Sequence, residues 1–264
     1  MVFLGQVLAR ASLLTVHIDG PLDAPAIVFS NSLLTDQHIW DRTIEEWKPS
    51  YPNRYRYLVY NMHGYASDPG RDVDIDLLAD DIAAVLDQFD IEKCFAVVGG
   101  SIGGIAGLSF AIRYPARLER FVACDCNVAS SETSTKAWMG RIELRSGSWE
   151  ELADQTVKRW FSVSATGEVV EWVRRMIIAA HRSGFVRCVR ALCKFDISDK
   201  IKTIQVPGAC ICGSRDGVLP ATMRSAAQAI PGCTYIEVED AGHLPMLDQP
   251  GSFVQALLSV LGPV

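Results

Sequence analysis

The run "AVVGGSIGGIAGL" contains Gly99-Gly100-Ser101-Ile102-Gly103, a serine set among glycines where a β-branched stretch meets a helical pattern. The pentapeptide fits G-x-S-x-G in the strand-to-helix context that the motif requires. A nucleophile on so sharp a turn adopts a strained backbone, and glycines beside it remove side chains that would strike the adjoining strand and helix. The same turn aims the N–H of Ile102 toward a developing oxyanion, aided by the positive end of the following helix. The plainer reading is a Gly-rich connection with no chemistry.

A serine hydroxyl needs a base, and the base needs an acid to orient it. Among five histidines, His243 in "EDAGHLPMLDQP" follows the last β-like run and precedes the terminal helical pattern. Asp216 in "ICGSRDGVLP" follows the preceding β-like run, so both belong at the carboxyl edge of one sheet. Ser101, Asp216, His243 is the order expected of an α/β-hydrolase. Asp216 is also a plain turn former before Gly217, and Asp125, at the end of the run Arg120–Cys124, is a rival acid. His17 reads as a strand residue and His181 as a helix residue, whereas His38 and His63 fall in loops at the same edge. The second oxyanion donor is expected in "FSNSLLTDQHIW", where small Ser32 lets the backbone approach and Leu33 offers its N–H; a one-residue slip would substitute Leu34.

The elements that must carry these groups are legible as alternation. Ala26–Ser30, Tyr55–Tyr60, Cys94–Gly99, Arg120–Cys124, Val206–Gly213 and Thr234–Val238 read as strands. Helical spacing marks Ile75–Phe89, Ile102–Tyr114, Ala221–Ile230 and Ser252–Leu261. This rhythm predicts an α/β fold, a mostly parallel central sheet flanked by helices. It breaks between about residues 131 and 195, where helix-like segments rich in Trp and Arg follow one another. Residues 1–130 and 196–264 are therefore expected to form the core, and 131–195 an inserted helical cap. That insertion holds 11 Lys/Arg against 7 Asp/Glu, so it is positive while the remainder is strongly negative. Such a lid favours an anionic ligand, although charged helix faces are commonly just solvated.

The 264 residues, 49% hydrophobic and 21% charged, suffice for one large core. A net charge of −6 and a pI near 5.4 provide no basic field for nucleic acid. No apolar run reaches the roughly 18 residues that span a bilayer, and "MVFLGQVLARASLLTV" lacks a signal-peptide pattern, so a cytoplasmic location is expected. The eight cysteines include pairs two apart, Cys124 with Cys126 and Cys210 with Cys212, inside apolar runs. On a strand each pair would face one side, a spacing unlike paired C-x-x-C zinc motifs, so reduced core thiols are expected; the serine chemistry itself requires no metal and no organic cofactor.

Beyond these motifs the chain resembles the 3-oxoadipate enol-lactonases, α/β-hydrolases of aromatic-compound degradation. The likeness rests on "SNSLLTDQHIWD", "WMGRIELRSGSWEELADQTVKRWF", "GFVRCVRALCKFDISDKI", "VPGACICGSRDGVLP" and "AGHLPMLDQP", and it covers nearly the whole chain. It implies a small, carboxylate-bearing lactone opened by water, with Ser101, His243 and Asp216 as triad and Leu33 and Ile102 as oxyanion donors. It also implies a carboxylate contact for Arg141 or a neighbour, and a pocket wall at Trp138. The sequence departs from the family where a glycine is usual and Leu34 stands, at Gly100-Ser101-Ile102, and in "NMHGYASDPG" at Asn61, His63 and Ala66. These changes touch the pocket rather than the triad, so they bear on the substrate and leave the reaction class standing. The rival readings are a general carboxylesterase or carbon–carbon bond hydrolase, a non-catalytic ligand receptor, and acyl or peroxide transfer in which another nucleophile replaces water.

Overall fold

A computed structural model describes residues 2–9, 12–62, 72–145 and 148–262. Eight strands form one sheet: β1 (Val2–Ala9), β2 (Ser12–Asp19), β3 (Ala26–Ser30), β4 (Arg56–Tyr60), β5 (Cys94–Gly100), β6 (Leu118–Cys124), β7 (Gly208–Gly213) and β8 (Cys233–Val238). Their spatial order is β1-β2-β4-β3-β5-β6-β7-β8; the first two pairings are antiparallel and the remainder parallel. The six strands read from sequence all occur, with ends shifted by at most two residues. The β1–β2 hairpin was not among them. Its connecting Arg10-Ala11 carries none of the Gly, Asn or Asp that mark a two-residue turn.

The helices are α1 (Asp41–Trp47), α2 (Ile75–Gln88), α3 (Ile102–Arg113), α4 (Glu132–Arg145), α5 (Trp149–Trp160), α6 (Gly167–Ala179), α7 (Arg182–Leu192), α8 (Leu219–Ala229), the single turn α9 (Pro245–Asp248) and α10 (Pro250–Leu261). Every residue of β3, β4 and β7 is buried, as expected of strands covered on both faces. The edge strand β8 is only partly covered. Helices α4 to α7 all lie between β6 and β7 in the chain, within the predicted insertion, and α5 starts on a Ser148 side chain that accepts from the Glu151 N–H. His181 is not a helix residue: it sits one position before α7, extended, with Nδ1 on the Ser183 hydroxyl. Among the described residues no helix is long and apolar enough to cross a membrane.

Register decides where the strands stop. Ser30 pairs with Gly99, Gly100 with Cys124, Cys124 with Ile211, and Gly213 with Val238, so the carboxyl ends of five parallel strands share one rim. Order reverses about β3, which lies between β4 and β5; a crevice at such a switch point is where open α/β sheets bind ligands. At this rim two glycines are sterically required. A Cβ on Gly99 would run into the Gly103 carbonyl, and one on Gly103 into the carbonyls of Ser30 and Asn31.

All eight cysteines are free, six of them buried, and only Cys193 and Cys233 are partly accessible. Cys210 and Cys212 share β7 as expected, but Cys126 lies beyond the end of β6, so the Cys124–Cys126 pair is not a strand pair. Burial pushes the Cys94 and Cys188 thiols up to about 12, which suppresses their thiolates.

Two outcomes follow. In urea unfolding, Gly103→Ala lowers stability by about 1–3 kcal/mol through backbone overlap, whereas Gly140→Ala, in α4 with open space around it, holds or gains up to about 1 kcal/mol. A thiol reagent applied to native protein labels Cys193 and Cys233 first, and the other six only on denaturation.

Candidate active site

Ser101 sits at the junction of β5 and α3 with φ +53° and ψ −121°, a backbone region costing about 1–3 kcal/mol for a non-glycine residue. Its N–H donates to the Cys124 carbonyl at 2.7 Å, and its own carbonyl accepts from Ile105 at 3.1 Å, so both flanking elements hold the turn. His243 and Asp216 arrive from the loops after β8 and β7. His243 Nδ1 lies 2.6 Å from Asp216 Oδ2, and His243 Nε2 lies 3.0 Å from Ser101 Oγ. An ionised carboxylate can only accept, which places the imidazole proton on Nδ1 and leaves Nε2 to accept from the serine hydroxyl. The imidazole and the carboxylate are each about 7% exposed, so water competes weakly for the pair.

Asp125, the rival acid, follows β6 with φ +47° and is buried. Its Oδ1 accepts from the Gly213 N–H at 2.8 Å and from the Cys212 thiol at 3.4 Å. Asp216, not Asp125, is therefore the acid on the imidazole. Donor atoms of Asp125, Cys212 and Asp216 lie within 4.8 Å of one another. Asp216 is already engaged by His243, however, and burial drives the Cys212 thiol far up, so this trio is poorly suited to hold a cation.

The loop after β3 contains a turn closed by Thr35 N–H and Oγ1, both donating to the Ser32 carbonyl at 3.2 and 2.8 Å. Leu34, its third residue, has φ +65°, a conformation that glycine adopts without the Cβ penalty. Asn31 Nδ2 donates to the Thr35 carbonyl, and Asn61 Oδ1 accepts from the Gln37 N–H at 2.9 Å, tying the loop to the end of β4. Among the described residues the N–H groups of Leu33 and Ile102 have no intramolecular acceptor.

A cleft of about 410 Å³ opens over Ser101 and His243, with Trp138, Arg141 and Arg159 in its wall. The Arg141 guanidinium lies 4.2 Å from the Trp138 ring centre, a cation–π contact. Burial, and secondarily the charge of Arg159, brings Arg141 down to about 10; Arg159 is also lowered by burial. Arg159 nevertheless keeps much accessible surface, as a side chain lining an open cleft does. Neither arginine has an ion-pair partner among the described residues. A larger cleft of about 550 Å³ lies between residues 72–76 and 187–200 and contains none of the serine, histidine or aspartate groups.

The sequence reading passed over three residues. Trp160, ending α5, stacks on the His243 ring at 5.4 Å between centres and 30° between planes, and its carbonyl accepts from the His243 N–H at 2.7 Å. Asp248 accepts from the N–H groups of Gly242 and Ser162 at 2.7 and 2.8 Å and from the Ser162 hydroxyl at 2.8 Å, clamping the histidine loop to the end of α5. Arg159 was counted only among cap charges; its place at the carboxyl end of α5, favourable to a cation, is the signal that was available. His38 lies in a short 3-10 turn, with Nδ1 on Asp41 at 2.8 Å, away from the serine cleft. His17 lies in β2 with Nε2 against the Gln37 amide. His63 and Ala66 fall outside the described residues.

A mostly parallel sheet with a serine on a positive-φ strand-to-helix turn, and a histidine and an aspartate on later strand ends, defines the α/β-hydrolase class. The chain belongs to the Alpha/beta hydrolase family, whose pattern it matches over residues 27–256. It is 32% identical over 247 residues to 3-oxoadipate enol-lactonase 1 of Acinetobacter baylyi, covering 92% of this chain and 90% of that protein. It is also 23% identical over 250 residues to a pimeloyl-acyl-carrier-protein methyl ester esterase of Aeromonas hydrophila, covering 85% and 93%. The crystal structure of the enol-lactonase from Burkholderia xenovorans superposes with a TM-score of 0.87 at 26% identity, covering 97% of this chain and 98% of that one.

Asp248→Ala leaves the buried Gly242 N–H and the half-buried Ser162 N–H unpaired and frees the histidine loop. Chemical denaturation is expected to show a loss of about 2–4 kcal/mol, accompanied by faster amide exchange at Gly242 and Ser162.

Proposed function

We propose that this protein is a serine hydrolase that opens a small, carboxylate-bearing lactone or ester through an acyl-enzyme, in the manner of a 3-oxoadipate enol-lactonase. The observation that carries this reading is the unbroken Ser101–His243–Asp216 hydrogen-bond chain at the floor of a cleft whose wall holds Arg141. Similarity to an enol-lactonase over nearly the whole chain supports the substrate class.

Ser101 Oγ attacks the carbonyl carbon while His243 Nε2 takes its proton, and Asp216 holds the imidazole and stabilises its cationic form. The N–H groups of Ile102 and Leu33 stabilise the tetrahedral oxyanion, each donor contributing roughly 3 kcal/mol in comparable sites. Collapse breaks the ring C–O bond, and His243 returns the proton to the leaving oxygen, which stays tethered to the acyl group. Water, deprotonated by His243, then attacks the ester and releases Ser101. When the leaving oxygen belongs to an enol, ketonisation removes the nucleophile that would reclose the ring. The insertion 131–195 acts as the lid of the pocket. A partly desolvated guanidinium without an anionic partner costs energy, and a substrate carboxylate offsets it by a charge-assisted bond to Arg141. Trp138 supplies the wall on which that guanidinium rests.

The methyl ester esterase among the relatives keeps an acyclic ester as the second reading. A panel of a carboxylate-bearing enol-lactone, an uncharged aryl ester and a vinylogous diketone separates the possibilities. Highest kcat/KM on the enol-lactone is expected, and preference for either other compound overturns the substrate assignment. Labelling of Ser101 by an organophosphonate excludes a silent receptor, and Ser101→Ala lowers kcat by roughly four or more powers of ten. Arg141→Ala raises KM for the anionic substrate by about 10- to 100-fold with little change on the neutral ester. Equal losses on both would sink the carboxylate contact.

A further inference from the structure

Asp125 is a carboxyl group without an obvious task. It follows the last residue of β6 in a left-handed backbone conformation, φ +47°, held there by its N–H donating to the Ile211 carbonyl at 3.0 Å. The side chain is 1% exposed and lies in the wall of the serine cleft. One oxygen, Oδ1, is satisfied by the Gly213 N–H and the Cys212 thiol. The other, Oδ2, is buried and meets no donor among the described residues. The neighbouring carboxyl is Asp216, close enough for a hydrogen bond once one of the two carries a proton.

Two buried carboxylates this close cannot both keep their charge. A buried carboxyl oxygen that lacks a donor, with a second carboxyl beside it, is satisfied by bearing a proton itself. We propose that Asp125 is a positioning residue that retains its proton and donates it as a hydrogen bond to Asp216, so that the pair presents one negative charge to the His243 imidazole. The inference rests on Asp216 as the imidazole's acid partner and adds what sets that partner's orientation and charge.

The surroundings fit. Burial first, and the charge of Asp216 second, push the Asp125 carboxyl well above the usual carboxylate range, against a smaller opposing pull from the Gly213 N–H. The other titratable groups acting on Asp125 include the thiols of Cys124 at the end of β6, Cys126 just beyond it and Cys212 on β7, all driven upward by burial and therefore neutral. Among the described residues Asp125 has no ion-pair partner, whereas the Arg159 guanidinium feels the charge of Asp216. Asp216 thus accepts from two sides, His243 Nδ1–H and Asp125 O–H, which limits its rotation. Sharing its charge also moderates the stabilisation it gives to the imidazolium.

Infrared spectroscopy and pH profiles test this separately. At neutral pH, where exposed carboxyls are ionised, wild-type protein is expected to show a protonated-carboxyl C=O band that shifts in D₂O and is absent from Asp125→Asn. No such band in the wild type overturns the proposal without reference to any activity or to the folding of a variant. Kinetically, Asp125→Ala removes the donor and leaves Asp216 with its undivided charge, so the acid limb of kcat/KM moves to higher pH by roughly half a unit or more. Asp125→Asn, whose amide N–H replaces the lost O–H, brings the limb back toward the wild-type position. If Asp125 were instead ionised, both substitutions would remove a negative charge near the imidazole and move the limb to lower pH, which refutes the shared proton. Failure to find any hydrolysed substrate would count against the proposed function while leaving the infrared result to stand or fall alone.

Discussion

The parallel register that ends β3, β5, β6 and β7 at one rim is the constraint on which the rest of this molecule depends. Ser101 and His243 are 142 residues apart in the chain, yet each needs only to leave its strand at the shared edge to come within 3.0 Å of the other. The β7 end delivers Asp216 beside them, and the β3 end delivers the loop of Ser32 to Thr35. Hydrogen bonding along the sheet thus does the long-range positioning, and side chains have only short distances left to cover.

That rim concentrates backbone strain. Leu34, Ser101 and Asp125 are non-glycine residues with positive φ, each at the first turn beyond a strand end. Such conformations persist where the surroundings over-determine them. Here the N–H groups of Ser101 and Asp125 are each held by a carbonyl of the next strand, those of Cys124 and Ile211. Gly99 and Gly103 let β5 and α3 approach closely enough for the serine turn to form. Strain at Ser101 is therefore a property of the scaffold, present before any ligand binds.

The insertion contributes more than a cover. Through Trp160 it stacks on the imidazole and accepts its main-chain N–H, and through Ser162 it shares Asp248 with the histidine loop. Through Arg141 and Arg159 it places two guanidinium groups in the cleft wall. One helix, α5, thus carries at its carboxyl end both Trp160, which orients the imidazole, and Arg159, which enters the cleft wall.

Local signals in the chain already determined the serine turn, the alternation of strands and helices, the helical character of the insertion, and the order of Ser101, Asp216 and His243. These follow from short-range sterics and periodicity, which depend on residues a few positions apart. Only the folded chain decided between Asp216 and Asp125, because both follow strands that end on the same rim and the choice turns on which carboxylate meets Nδ1. The same holds for Trp160, which meets His243 83 residues on, for Asp248, which meets Ser162 86 residues back, and for Cys126 and His181, which lie just outside a strand and a helix. Such pairings are through-space geometry, set by packing between elements, and a one-dimensional pattern carries no record of them.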